Sequence, residues 1–243
     1  MLEVIEALSE MLSNRVIVSE EELRRKALRA GLRALGIGMK SFTEEDLKEV
    51  VLSFIETPVS VKSTYFSEKV SLNGVQFYHL HTKKPQKSDI ELAYSEYLKS
   101  KTFMGNLKAL IDSADKFFEG FSREGYFLRL YTSKSKFAVF FTTVSDLKED
   151  AEIHLRLAQS FDGEYAVILQ TEEKPTEFVE IFRLYSEKFK RANAKVWVAN
   201  PKDGGIDPFI GYPKDLRLLS RFKNPKLASR INSLWREKVN ELD

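Results

Sequence analysis

The 243-residue chain contains no cysteine. Disulfides, thiolate zinc sites and cysteine nucleophiles are excluded together by that absence. Histidine is nearly missing too, occurring at His79, His81 and His154. His79 and His81 share one face of an expected strand. Two histidines without a third ligand nearby seldom hold zinc, so all three are read as structural. The longest apolar stretches reach about half a membrane span or less, so no membrane partner is expected. The opening residues MLEVIEALSEML carry three glutamates and no cationic stretch, unlike a secretory signal, and the expected location is cytoplasmic. The chain lacks a Walker loop, a G-x-S-x-G elbow, a dinucleotide fingerprint and a His-Glu-x-x-His helix. Without a catalytic signature, the expectation leans away from an enzyme.

What is present is core material and charge. Hydrophobic residues make up 43% and aromatics 12%, enough for a sizeable core. Charged residues reach 30%, dominated by Lys, Glu and Arg while Gln is scarce, a thermophile-like composition that favours ion-pair networks. Net charge is only +2, so any affinity for nucleic acid has to come from local patches.

The N-terminal quarter reads as helical. Leu2, Ile5, Leu8 and Leu12 have helical spacing. Ser19 with Glu20, Glu21 and Glu22 forms an N-cap, with Glu22 at the capping-box position. That helix runs to Leu35, where Gly36 and Gly38 stop it. Thr43-Glu44-Glu45-Asp46 opens a third helix that Pro58 ends. VSVKSTYF and the segment around VQFYHLH read as strands, with Asn73-Gly74 as a hairpin turn. Three helices followed by a β-ribbon is the order of a winged helix. Residues 82–102 begin as a polar, basic linker and continue as a helix, and a further helix covers about 103–121. The expected division is a winged-helix-like α+β domain at 1–87 and an α/β domain with C-terminal helices at 88–243.

The second domain carries an internal repeat. FAVFFTT (137–143) aligns with YAVILQT (165–171), and AEIHLRLAQSF (151–161) with VEIFRLYSEKF (179–189). Each unit is an apolar strand followed by a helix. AKVWVAN (194–200) completes a β-α-β-α-β array with a parallel core and right-handed crossovers, preceded by a strand or hairpin that includes YFLRLYT. In the competing reading, the alternation of Ile153, Leu155 and Leu157 makes 152–160 a strand, with Asp162-Gly163 as a hairpin turn. The helix over about 146–161 is preferred because Ser145, Asp146, Glu149 and Asp150 form a helix start. PKDGGIDPFIGYPKD reads as a loop, and the tail from Leu216 as one or two helices interrupted at Pro225.

Open α/β sheets bind ligands outside the carboxyl ends of their strands. Those ends here offer Thr143, Ser145, Thr171, Glu172, Asn200 and Asp203 as a candidate ligand crevice. Polar loops also occupy strand ends simply because they face water. Within this edge, Glu172-Glu173-Lys174 has the (D/E)-x-K spacing and resembles the restriction-endonuclease-like nucleases. The resemblance implies a metal ligand at Glu172 and a lysine, Lys174, that assists the attacking water, with magnesium as the cofactor. That family also needs a second acid from a neighbouring antiparallel strand, and parallel neighbours would not supply it. A solvated charge run is the competing explanation.

Arg25, Arg29 and Arg33 recur at four-residue spacing, a basic stripe able to meet phosphates or to pair with the upstream glutamates. Lys83, Lys84 and Lys87, and then Lys214, Arg217, Arg221, Lys223, Lys226 and Arg230, form two more basic patches. The leading expectation is a nucleic-acid-binding or regulatory protein whose α/β domain senses a ligand or dimerises. The alternatives are a metal-dependent nuclease using Glu172 and Lys174, or an interaction protein with an emptied α/β fold. DNA, a small ligand and a second copy of the chain are the expected partners. No resident cofactor or metal is expected outside the nuclease alternative.

Overall fold

The computed structural model describes residues 1–36, 42–56, 69–80, 84–171 and 175–240. The chain divides into two compact units, Met1–Gly105 and Asn106–Asp243. No helix among the described residues is long and apolar enough to cross a membrane.

The first unit runs α1 (Leu2–Met11), β1 (Ile17–Ser19), α2 (Glu20–Leu35), α3 (Glu44–Glu56), β2 (Lys69–Leu72), β3 (Val75–His79) and the start of α4 (Lys87–Phe117). The three strands form an antiparallel sheet in the order β1-β3-β2. Ser19 ends β1 and caps α2, accepting the Glu22 N–H on its hydroxyl at 3.1 Å. Only that half of the expected capping box is seen. The Glu22 carboxylate is held by Arg15, with Nε at 3.1 Å and Nη2 at 2.7 Å. Gly36 stops α2 with a φ of 56° that a side chain would resist. At α3 the box is complete: Thr43 Oγ1 accepts the Asp46 N–H at 3.2 Å, and the Asp46 carboxylate accepts the Thr43 N–H at 2.6 Å. Asn73 and Gly74, with φ of 49° and 78°, make the expected two-residue turn. Ile17 and Phe77 pack with Ala93 and Tyr97 of α4, closing one face of the sheet. Gly38, Pro58, His81, Lys83 and the VSVKSTYF segment lie outside the described residues.

The second unit is a six-stranded sheet in sequence order: β4 (Ser122–Glu124), β5 (Leu128–Thr132), β6 (Lys136–Thr142), β7 (Glu164–Gln170), β8 (Ala194–Ala199) and β9 (Ile206–Ile210). β6, β7 and β8 are parallel, and the outer strands are antiparallel. The expected β-α-β-α-β core is present, and 152–160 is helical. Its first crossover is two helices, α5 (Val144–Glu149) and α6 (Ala151–Ser160), because Asp150 breaks the register with φ −100° and ψ 11°. They pack with α7 (Pro175–Arg191) on one face, as two crossovers of the same hand require. α4 covers the opposite face: Phe117 packs tilted against Trp197 at 5.3 Å and Phe118 stacks on it at 6.1 Å. Burial on both faces accounts for the continuous apolar runs of the central strands.

Two elements differ from the sequence reading. The Gly/Pro-rich stretch contains β9, and Pro208 is tolerated there because β9 is an edge strand with a register shift opposite Val196 and Trp197. A 3-10 helix (Leu216–Arg221) and α8 (Leu227–Asn240) then flank Pro225 as expected. α4 is a single 31-residue helix rather than two, and the unit division falls inside it. No proline interrupts it, and Gly105 alone is tolerated. A Cβ at Gly105 would meet nothing within 4 Å. Gly105→Ala is therefore expected to stabilise α4 by about 0.5–1 kcal/mol, read as a raised thermal midpoint.

Candidate functional site

The carboxyl edge of the sheet spends most of its polar groups on its own turns. Thr143 is buried and caps α5, accepting the Asp146 N–H at 3.1 Å and lying 3.1 Å from the Ser145 hydroxyl. The Thr171 N–H donates to Ala199 O at 3.0 Å. Beyond β8, the Asn200 side chain accepts the Lys202 N–H at 3.0 Å, and Asp203 accepts the Gly205 N–H at 2.9 Å. Gly204 takes φ 68°. A side chain at Gly205 would come within 2.8 Å of Lys223. This tight turn borders a cavity of about 370 Å³, completed by Ser113, Lys116 and Phe117 of α4 and by Arg221 and Lys223.

Among the described crevice residues expected from sequence, Asp203 lines this cavity, while Thr143, Ser145, Thr171 and Asn200 do not. The Asp203 carboxyl is held below its usual range, first by the hydrogen bond from Lys223 and then by the Gly205 N–H. Arg221 donates to Phe117 O at 2.7 Å and Glu119 O at 2.8 Å, closing the carboxyl end of α4. The Ser113 hydroxyl is spent on Ala109 O at 2.7 Å. Lys116 is exposed and makes no ion pair among the described residues, so the mouth is suited to a small anionic or hydrogen-bonding ligand. Sequence reasoning missed α4 as a wall, because residues in the 113–119 stretch carry no local signal of their distant neighbours.

Glu172, Glu173 and Lys174 lie outside the described residues. The strand before them, β7, has parallel neighbours on both sides. The antiparallel strand that should bring the second acid of the nuclease motif is therefore not beside it. Among the described residues, no group of three or more His, Asp or Glu side chains could hold a metal.

A second polar cluster is internal. Asp146 of α5, Asp150 at the break between the helices and His154 of α6 follow one another at four-residue spacing, and all three are buried. His154 Nδ1 lies 2.7 Å from the Tyr165 hydroxyl, and its ring packs 5.4 Å from Phe140. Burial, and after it the Asp150 charge, pushes the Tyr165 hydroxyl above its usual range. The His154–Tyr165 contact ties α6 of the first crossover to β7, a structural role.

The arginine stripe of α2 is not a surface. Arg25 is 2% exposed, donates from Nε to Ser100 at 3.0 Å and pairs with Glu96 through Nη2. Arg29 is equally buried, and Arg33 alone of the three is exposed. The reason is that α1 and α3 pack on α2, and α4 supplies the acidic partner of Arg25. A guanidinium enclosed in this way cannot reach a phosphate. The exposed positions of α3 are mostly acidic or apolar: Glu45, Glu49, Leu52 and Glu56, with Lys48.

The geometry defines a two-unit protein with a three-layer α/β domain bearing a small polar cavity. The chain belongs to the family described as domain of unknown function (DUF6834), C-terminal domain, which it matches over residues 96–224. Residues 3–94 match a second family, domain of unknown function (DUF6846). No curated protein matches the chain.

Proposed function

We propose that the protein is a nucleic-acid-binding regulatory protein, with a winged-helix-like first unit and an α/β second unit that senses a small ligand. The observation that carries this reading is the wiring of the first unit: α1, β1, α2, α3 and a hairpin, with the sheet in the order β1-β3-β2. Helix-turn-helix domains of this general plan present their second helix to the groove of a duplex.

In this chain α3 is a poor phosphate partner, because its exposed carboxylates would be repelled. The hairpin is better suited. Ser71, Asn73 and Gln76 are exposed on β2, its turn and β3, and offer uncharged donors and acceptors of the kind that contact bases and phosphates. The cavity beside Gly204 and Gly205 supports the sensing role, since its volume of about 370 Å³ suits a small molecule.

The test is fluorescence anisotropy of the full chain with a labelled duplex. Association is expected with a dissociation constant of roughly 10⁻⁴–10⁻⁶ M for non-specific sequence, weakening steeply between about 50 and 200 mM salt. Asn73→Ala with Gln76→Ala is expected to weaken it further. A wild-type chain that shows no salt-sensitive association overturns the reading.

A further inference from the structure

We infer that the phosphate-binding surface of this protein is a cationic band on its second unit, formed by Lys190, Arg191, Lys226, Arg230 and Arg236, and that it takes the sugar–phosphate backbone of a nucleic acid. The inference rests on the nucleic-acid reading above and places its electrostatic contact away from α2 and α3.

Charge is strongly segregated along the chain. Residues 188–238 contain thirteen Lys and Arg against four Asp and Glu, a net charge of +9 where the whole chain carries +2. Within the stretch Asp203 pairs with Lys223 and Asp215 with Arg217, while Lys188, Lys190 and Lys195 pair with Glu152, Glu187 and Glu164 outside it. Arg191, Lys226, Arg230 and Arg236 are exposed and make no ion pair among the described residues.

The fold gathers these cations on one flank. The chain returns along the edge strand β9, with the Lys223 N–H on Ile206 O at 3.1 Å and the Ser229 N–H on the Tyr212 hydroxyl at 3.1 Å. α8 then lies against α7, where Lys190 Nζ is 3.4 Å from Asn232 Oδ1 and Trp235 packs 6.2 Å from Phe182. The field at Glu187 reports the same convergence. Its carboxyl is held below the usual range by the hydrogen bond from Lys190, and Arg191 on α7 and Arg236 on α8 lower it further.

Helix stability does not account for the α8 cations. Lysines and arginines are favoured at a helix carboxyl end, which explains Lys190 and Arg191 on α7. Lys226 and Arg230 sit at the amino-terminal end of α8, where positive charge is disfavoured. Four residues apart, they share one face and can follow successive phosphates. A polyanion explains this placement through charge neutralisation and counterion release.

The experiment uses the full chain and a labelled duplex over a salt series. Lys226→Ala with Arg230→Ala is expected to lower the slope of log affinity against log salt by about 1.8, at roughly 0.9 per lost phosphate contact. Affinity at low salt should fall at least about tenfold. Lys134→Ala, which removes an exposed cation in the turn between β5 and β6, should leave both unchanged. Trp197 and Trp235 are the chain's two tryptophans and lie in the second unit, so their fluorescence verifies that the variants keep its fold. A wild-type slope in the double variant overturns the band while leaving the nucleic-acid reading intact. Failure of the wild-type chain itself to bind overturns both. Equal loss in the Lys134 variant, or binding to phosphatidylserine vesicles but not to the duplex, also overturns the assignment.

Discussion

Replacing Lys195 with methionine is expected to destabilise the second unit by about 3–5 kcal/mol, among the largest effects of any single substitution in the chain. Lys195 and Glu164 are both almost fully buried, at 2% and 5% exposure, and their charged atoms lie 2.9 Å apart. The remaining bonding capacity is also used. Lys195 donates to Asn193 O at 3.1 Å and to its side-chain oxygen at 3.0 Å. Glu164 accepts the Lys214 N–H on both oxygens, at 3.0 and 3.2 Å. The pair therefore joins the amino-terminal ends of β7 and β8 to the loop that follows β9. Removing the lysine leaves a buried carboxylate without its cation, and that desolvated charge is the source of the cost.

Replacing both partners by methionine should recover much of the loss, because an apolar pair leaves no charge behind. The Lys214 N–H then loses its acceptor, which keeps about 1–3 kcal/mol of the penalty. Tryptophan fluorescence in urea isolates this unit, and the midpoint should shift without a change in slope. A single variant that unfolds at the wild-type midpoint refutes the argument. Titration adds a sign. Burial, against the opposing pull of Glu164, holds Lys195 below its usual value of 10.5. Between its folded value and 10.5 the unfolded chain binds more protons, so this group's contribution to stability grows as the pH rises across that window.

How much of this was legible in the sequence depended on the distance between partners. β6, β7 and β8 announce themselves, since seven- and six-residue apolar runs at a fixed repeat leave few alternatives to a covered parallel sheet. β9 did not, because glycines before it and Pro208 within it are ordinary loop signals, and only its edge position makes them compatible with a strand. The crevice was legible in outline but not in membership. Thr143 and Asn200 occupy the expected strand ends, yet their side chains are committed to a helix cap and a turn. The walls of the cavity come from α4 and from Arg221 and Lys223, which local patterns cannot bring together.

The arginine stripe shows the same limit most sharply. A four-residue spacing fixes which side chains share a helix face, but not whether that face meets water or protein. Arg25 finds Glu96 across 71 residues of sequence. Arg25→Ala is accordingly expected to destabilise the first unit by about 2–3 kcal/mol, from the lost hydrogen bonds to charged partners and the lost packing of its stem. Arg33→Ala, at the exposed end of the stripe, should cost well under 1 kcal/mol. Amide hydrogen exchange along α2 separates the two, because it reports the opening energy of that helix directly. The acid limb carries a second readout. Burial pushes the Glu96 carboxyl up, but Arg25 and then Lys99 outweigh it and hold it below its usual 4.5. Its contribution to stability is therefore present above 4.5 and lost as the pH falls through the folded value. Glu22 has the opposite sign, since burial outweighs Arg15 and raises it, so its contribution is fully present below 4.5 and fades as the pH rises. With Arg25 removed, the depression of Glu96 should shrink to what Lys99 and Lys26 sustain, and the acid limb below 4.5 should flatten. An Arg25→Ala chain that keeps both the wild-type exchange rates of α2 and the wild-type acid limb would refute the Arg25–Glu96 pair as a tie between α2 and α4.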